Sequence, residues 1–129
     1  MAISIVRLGS TRRRGEGLRL GTVRRPPRGV PKTKFASDDW YDVWLPALAP
    51  SAALMQRTAM DKSGQWWPVF ARRFEAELKK PEASRLLDVL AALSHQTDFS
   101  VGCYCENERQ CHRSLLRRAL SGRGALMKG

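Results

Sequence analysis

The chain has 129 residues and 43% hydrophobic content, which suits one domain built around one core. No apolar run approaches the roughly 18 residues of a membrane-spanning helix, and the opening MAISIVRLGSTRRR has too short an apolar stretch, with its charges on the wrong side, for a secretion signal. Three cysteines, an odd count with two of them only two residues apart, argue against a secreted disulfide framework and for a reducing cytoplasm.

The formal net charge of +11 is uneven: residues 1–35 hold ten basic residues against Glu16 alone, and residues 36–129 hold thirteen against eleven acidic ones. An arginine-rich segment releases counterions from polyanions and grips phosphate bidentately, so a nucleotide or nucleic acid is the expected partner. A solvated basic face is the plainer alternative.

Residues 3–8 (Ile-Ser-Ile-Val-Arg-Leu) alternate and are β-branched, which predicts a first strand closed by Gly9. A polar loop follows, and residues 18–23 predict a second strand, weakened by Gly21. Residues 24–31 (Arg-Arg-Pro-Pro-Arg-Gly-Val-Pro) form a rigid, extended loop. Residues 38–50 are rich in aromatics and broken by Pro46 and Pro50, so a loop with one helical turn is expected. Ser51 predicts the N-cap of a helix to about Met60. A second helix carries Trp66, Trp67, Phe70, Phe74 and Leu78 on one stripe, and a third opens at Pro81 and buries Leu86, Leu87, Leu90 and Leu93. His95 falls in a turn. Residues 99–104 predict a strand with Phe99, Val101 and Cys103 on one face. Asn107 and Gln110 predict a capping box for a last helix over 114–120. Strands, helices, then strand and helix predict a small single-domain α/β layered fold, with a mainly parallel sheet flanked by helices. That domain spans residues 1–120 and includes the basic segment 1–35; residues 121–129 are expected as a flexible tail.

Residues 103–113 (Cys-Tyr-Cys-Glu-Asn-Glu-Arg-Gln-Cys-His-Arg) hold all three cysteines and one of the two histidines. They join a strand to a helix N-terminus, a place where α/β proteins hold anions and catalytic side chains. Cys103, Cys105, Cys111 and His112 supply a zinc-type ligand set, but C-x-C-x5-C-H is not a common zinc spacing, so no metal or other cofactor is favoured. Cys103 to Arg109 has the C-x5-R spacing of a phosphatase loop. Glu106 and Glu108 inside it, and the lack of a glycine, oppose that reading. Cys111, at a helix start beside His112 and Arg113, is the better reactive thiol, so Cys111 and His112 are the candidate catalytic pair. Arg7, Arg24, Arg28, Cys103 and Arg113 are the candidate anion-binding residues at the C-terminal edge of the sheet. Trp40, Tyr41 and Trp44 share their segment with Asp38, Asp39 and Asp42, which favours packing over base stacking.

Cys103 with Cys111-His112-Arg113 resembles the Cys…Cys-His-Arg signature of the domain-of-unknown-function family 488. The segment from Arg24 to Lys32 resembles the Arg-x-x-Pro-Arg-Gly stretch of its YeaO-like branch, and Trp44-Leu45 with residues 48–51 (Leu-Ala-Pro-Ser) resembles that branch's stretch ending in Ala-Pro-Ser. The resemblance implies a compact bacterial cytoplasmic α/β domain and no established reaction. The chain departs from the family at Val23, where an acidic residue is common, and at Cys105, where the wider family has glutamate. The favoured function is binding of a phosphate-bearing ligand, nucleotide or nucleic acid, at a Cys/His/Arg-lined site, with or without a reaction on it. A cysteine-based redox or zinc-binding module, and a non-catalytic partner-binding protein, are the alternatives.

Overall fold

The β-branched start of the chain forms β1, Ile3–Arg7, and β2 follows at Leu18–Gly21. Two residues, Val43–Trp44, form β3, and β4 is Phe99–Cys103. The computed structural model, which describes residues 1–128, joins all four in one parallel sheet of order β1-β4-β2-β3. Ile3 lies opposite Phe99, Arg7 opposite Cys103, and Leu18 opposite Phe99 from the other side. All five residues of the inner strand β4 are buried, as expected for a parallel strand covered on both faces. With the strands parallel and in register, the segments after β1, β2 and β4 leave the sheet at one edge.

Four helices cover one face: α1 Ala52–Ala59, α2 Trp66–Leu78, α3 Pro81–Leu93 and α4 His112–Gly122. Ile3 and Val101 meet Phe74, Leu87 and Leu116 in the main apolar cluster, all five fully buried. Ser51 caps α1, its Oγ accepting from Leu54 N at 3.1 Å while donating to Glu77 at 2.6 Å.

The opposite face is covered by loops, and polar groups hold them down. Arg19 is fully buried; its guanidinium makes a two-pronged pair with Glu16 at 2.8 and 2.9 Å, and donates to the carbonyls of Ser10 and Asp39 at 2.8 and 2.7 Å. Ser100 of β4 donates to the same Glu16 at 2.8 Å. Asp39 has φ 63°, the one non-glycine in the left-handed region among the described residues, and its carbonyl accepts from both Arg19 and Gly9 N. Gly21 answers a packing need: a Cβ there would run into the ring of Tyr41, which lies over β2.

The structure corrects several expectations. Residues 38–50 contain the helical turn, at Pro46–Leu48, but also β3, which pairs with Leu20 and Gly21 and is too short for periodicity to register. The second strand, expected over residues 18–23, ends at Gly21, and Leu18 opens it exposed while Arg19 faces inward. Leu93 is exposed, because Ala91 and Ser94 take the inward positions at the end of α3. Asn107 caps only the short turn Glu108–Gln110, and α4 begins at His112 with Cys111 as its N-cap residue. Residues 121–128, expected as a flexible tail, complete α4 and return along β1. Ile3 N donates to Leu126 O and Lys128 N to Ile3 O, each at 2.8 Å. Gly129, also within that expected tail, lies outside the described residues.

Candidate functional site

The shared sheet edge carries two depressions separated by Tyr104, which follows β4. Its hydroxyl donates to Arg25 O at 2.8 Å and its ring meets Trp40 edge-on at 5.9 Å, so it fastens both ends of the connection between β2 and β3 to the end of β4.

On one side lies the thiol–imidazole cluster. The sulfurs of Cys103 and Cys111 are 2.6 Å apart, and Cys111 Sγ is 3.8 Å from His112 Nδ1. Adjacent residues reach one point because Cys111 has extended backbone, φ −131° and ψ 151°, while His112 is the first helical residue. His112 Nε2 lies 2.6 Å from Thr22 O. A carbonyl only accepts, so Nε2 carries a proton, and in the neutral imidazole Nδ1 presents its lone pair to Cys111. Thr22 is held in turn by its N and Oγ1, which both donate to Gly102 O at 3.0 and 2.9 Å. Hydrogen bonding to the thiols of Cys105 and Cys111, with burial, pushes the Cys103 thiol up, and hydrogen bonding to Cys103 pulls Cys105 and Cys111 down. Cys103 and Cys111 are buried and Cys105 is exposed. The donor atoms of Cys103, Cys111 and His112 all lie within 4.8 Å of one another, and Cys105 stands outside that set. The cluster opens into a cavity of about 450 Å3 whose other walls include Met55, Trp66 and Phe70.

On the other side of Tyr104 is an open groove of about 860 Å3, lined by Arg7, Arg25, Arg28, Trp40 and backbone of the loop after β1. Arg28 and Arg25 are exposed, and no carboxylate lines the groove. Arg7 donates to Tyr104 O at 3.2 Å and stands 3.5 Å from Glu106, an exposed pair of small energetic weight.

The other candidate arginines reach the same edge but turn elsewhere. Arg24 donates to the carbonyls of Pro46, Ala49 and Pro50 at 3.0 to 3.1 Å and fastens the segment before α1. Arg113 is 4% exposed, donates to Cys105 O at 2.5 Å and leaves its Nε buried without a partner. It holds the loop that carries Cys105 from beneath. Arg12 is used internally as well, bridging Asp39 and Asp42. Arg25, Trp40 and Tyr104 were not singled out by the sequence as ligand contacts. Alternation in an extended loop offered one signal: Arg24 and Arg25 are neighbours, so when one faces the protein the other faces out. His95 lies in its expected turn, exposed, with Nε2 2.8 Å from Gly124 O.

The family model for the active DUF488-N3 subclade, DUF488-N3a, matches residues 3–124. The chain belongs to the DUF488 family. No curated protein and no solved structure matches it. The match runs from β1 to just past α4, so every residue at both depressions of this DUF488 chain falls within it. No helix among the described residues is long and apolar enough to cross a membrane.

Proposed function

We propose that this DUF488 domain binds a phosphate-bearing small molecule, of nucleotide size, in the groove between the loops after β1 and β2. The observation that carries the reading is the lining itself: Arg7, Arg25 and Arg28 beside the rings of Trp40 and Tyr104, with no lining carboxylate. Guanidiniums recognise phosphate by paired N–H donors, and aromatic rings give a base a surface to stack on. A volume of about 860 Å3 falls in the range of small-ligand sites. Position adds support, since open parallel sheets hold ligands outside the C-terminal ends of their strands. The description of the matched subclade as active supports a chemical step on the ligand.

Titration calorimetry with AMP, ATP and inorganic phosphate tests this. The nucleotides should bind more tightly than phosphate alone, and binding should weaken as salt rises. Arg28→Ala and Arg25→Ala should each raise Kd about tenfold or more, the scale of one lost charge-assisted contact. Kd values unchanged in both variants would remove the groove as the site. If instead a single-stranded oligonucleotide binds and mononucleotides do not, the ligand is a nucleic acid and the groove is only part of a longer track.

A further inference from the structure

We infer that Cys103, Cys111 and His112 form a mononuclear site for a thiophilic divalent cation, zinc by its ligand chemistry, with a fourth position open to the 450 Å3 cavity. The inference is independent of the ligand reading of the groove.

The contact between Cys103 and Cys111 comes first. The two buried sulfurs face each other at 2.6 Å, so an ion entering between them would meet both. His112 supplies the third donor. Its Nε2 proton is committed to Thr22 O, so the buried Nδ1 lone pair faces Cys111 at 3.8 Å. A metal ion accepts it. Tetrahedral zinc, with Zn–S near 2.3 Å and Zn–N near 2.0–2.1 Å, places donor atoms roughly 3.5–3.8 Å apart. The Cys111–His112 separation already matches, and the two sulfurs need to part by about 1 Å.

The surroundings are those of a metal-bound imidazole. Histidine ligands commonly donate their second N–H to a carbonyl, which fixes tautomer and ring orientation, and Thr22 O does so here while Thr22 is itself anchored on β4. Phe74 meets the imidazole edge-on at 5.6 Å and completes the packing. Binding a divalent ion replaces the two thiol protons, and two thiolates balance its charge. Cys105 is outside the compact set, so three protein ligands and an open fourth position give the arrangement of a catalytic rather than a structural zinc site.

Cobalt(II) titration of the full-length reduced protein reads the site directly. One equivalent should bind, with sulfur-to-cobalt charge-transfer absorption in the near ultraviolet and tetrahedral d–d bands, both removed by added zinc. Cys111→Ser and His112→Gln should lose these bands, and Cys105→Ser should keep them. In the wild-type protein, zinc should further slow the reaction of the two buried thiols, Cys103 and Cys111, with a disulfide reagent and leave the exposed Cys105 reactive. Thiol reactivity unchanged by zinc, with no cobalt–thiolate absorption, would overturn the site. Loss of the bands in Cys105→Ser would overturn the open fourth position.

Discussion

The two faces of the sheet are stabilised by opposite means. The helix face is closed by aliphatic and aromatic side chains from α2, α3 and α4. The loop face has a smaller apolar patch around Leu8, Val23 and Tyr41, and its loops are fastened by Arg19, Glu16, Arg12, Asp39 and Asp42. Both depressions open at the edge where these loops leave the strands. The groove's Trp40 follows Asp39, whose carbonyl is bound by Arg19. The comparison separates two uses of arginine that composition alone merges: Arg12, Arg19 and Arg24 hold the scaffold, while Arg25 and Arg28 remain exposed at the groove.

Removing one partner of the buried pair should have the largest effect. Glu16→Gln leaves the Arg19 charge without its carboxylate, and breaking a buried pair this way costs about 3–5 kcal/mol. Urea unfolding should show that loss. Replacing both, Glu16→Gln with Arg19→Met, should recover part of the stability, because no buried charge remains. A single variant within about 1 kcal/mol of the wild type would show that the pair contributes little to the loop face.

On the helix face, Leu116→Ala removes a fully buried side chain and should cost about 2–5 kcal/mol by lost transfer energy and the cavity left behind. The discriminating outcome is its locality: nucleotide affinity at the groove, measured well below the unfolding midpoint, should stay at the wild-type value. Affinity lost along with stability would mean that the two faces are not separable.

The contrast also explains which parts were legible from sequence. Strong patterns named the helix face: Phe70, Phe74 and Leu78 recur at helical spacing, Ser51 is a cap with its hydrogen bond in place, and Pro81 opens α3. The α/β class followed from the order of those elements. The loop face has no period. The pairing of Arg19 with Glu16 is a tertiary fact that reads in sequence as excess charge, and β3 is two residues long. At the site, chemistry was legible and direction was not. Cys103, Cys111 and His112 do come together, because a strand end and a helix start fix them. Arg24 and Arg113 reach the right edge, but Arg24 donates to three carbonyls and Arg113 is buried with one donor on Cys105 O, which depends on loops whose course only the folded chain shows.

The smallest expected effect is on acid stability, and it should belong to the loop face. Burial pushes the Glu16 carboxyl up, but hydrogen bonds from Arg19, Ser100 and Arg13 N, with the Arg19 charge, outweigh it and leave the group below its ordinary 4.5. Asp42 behaves alike: burial raises it, and Arg12 with Arg19 N holds it below its ordinary 3.8. For both, the folded pKa lies under the unfolded one, so on acidification the unfolded chain takes up protons first. Their contribution is complete above the unfolded values and is lost as pH falls through the folded ones. The urea midpoint of the wild type should therefore drop between neutral pH and about pH 3. Leu116→Ala should drop in parallel from a lower start, since it leaves the carboxylates untouched. The double variant Glu16→Gln with Arg19→Met loses the Glu16 contribution, keeps those of Asp42, Asp61 and Asp98, and should give a flatter profile. A double variant as steep as the wild type would place the acid-labile groups outside the Glu16–Arg19 pair and remove the electrostatic distinction between the faces.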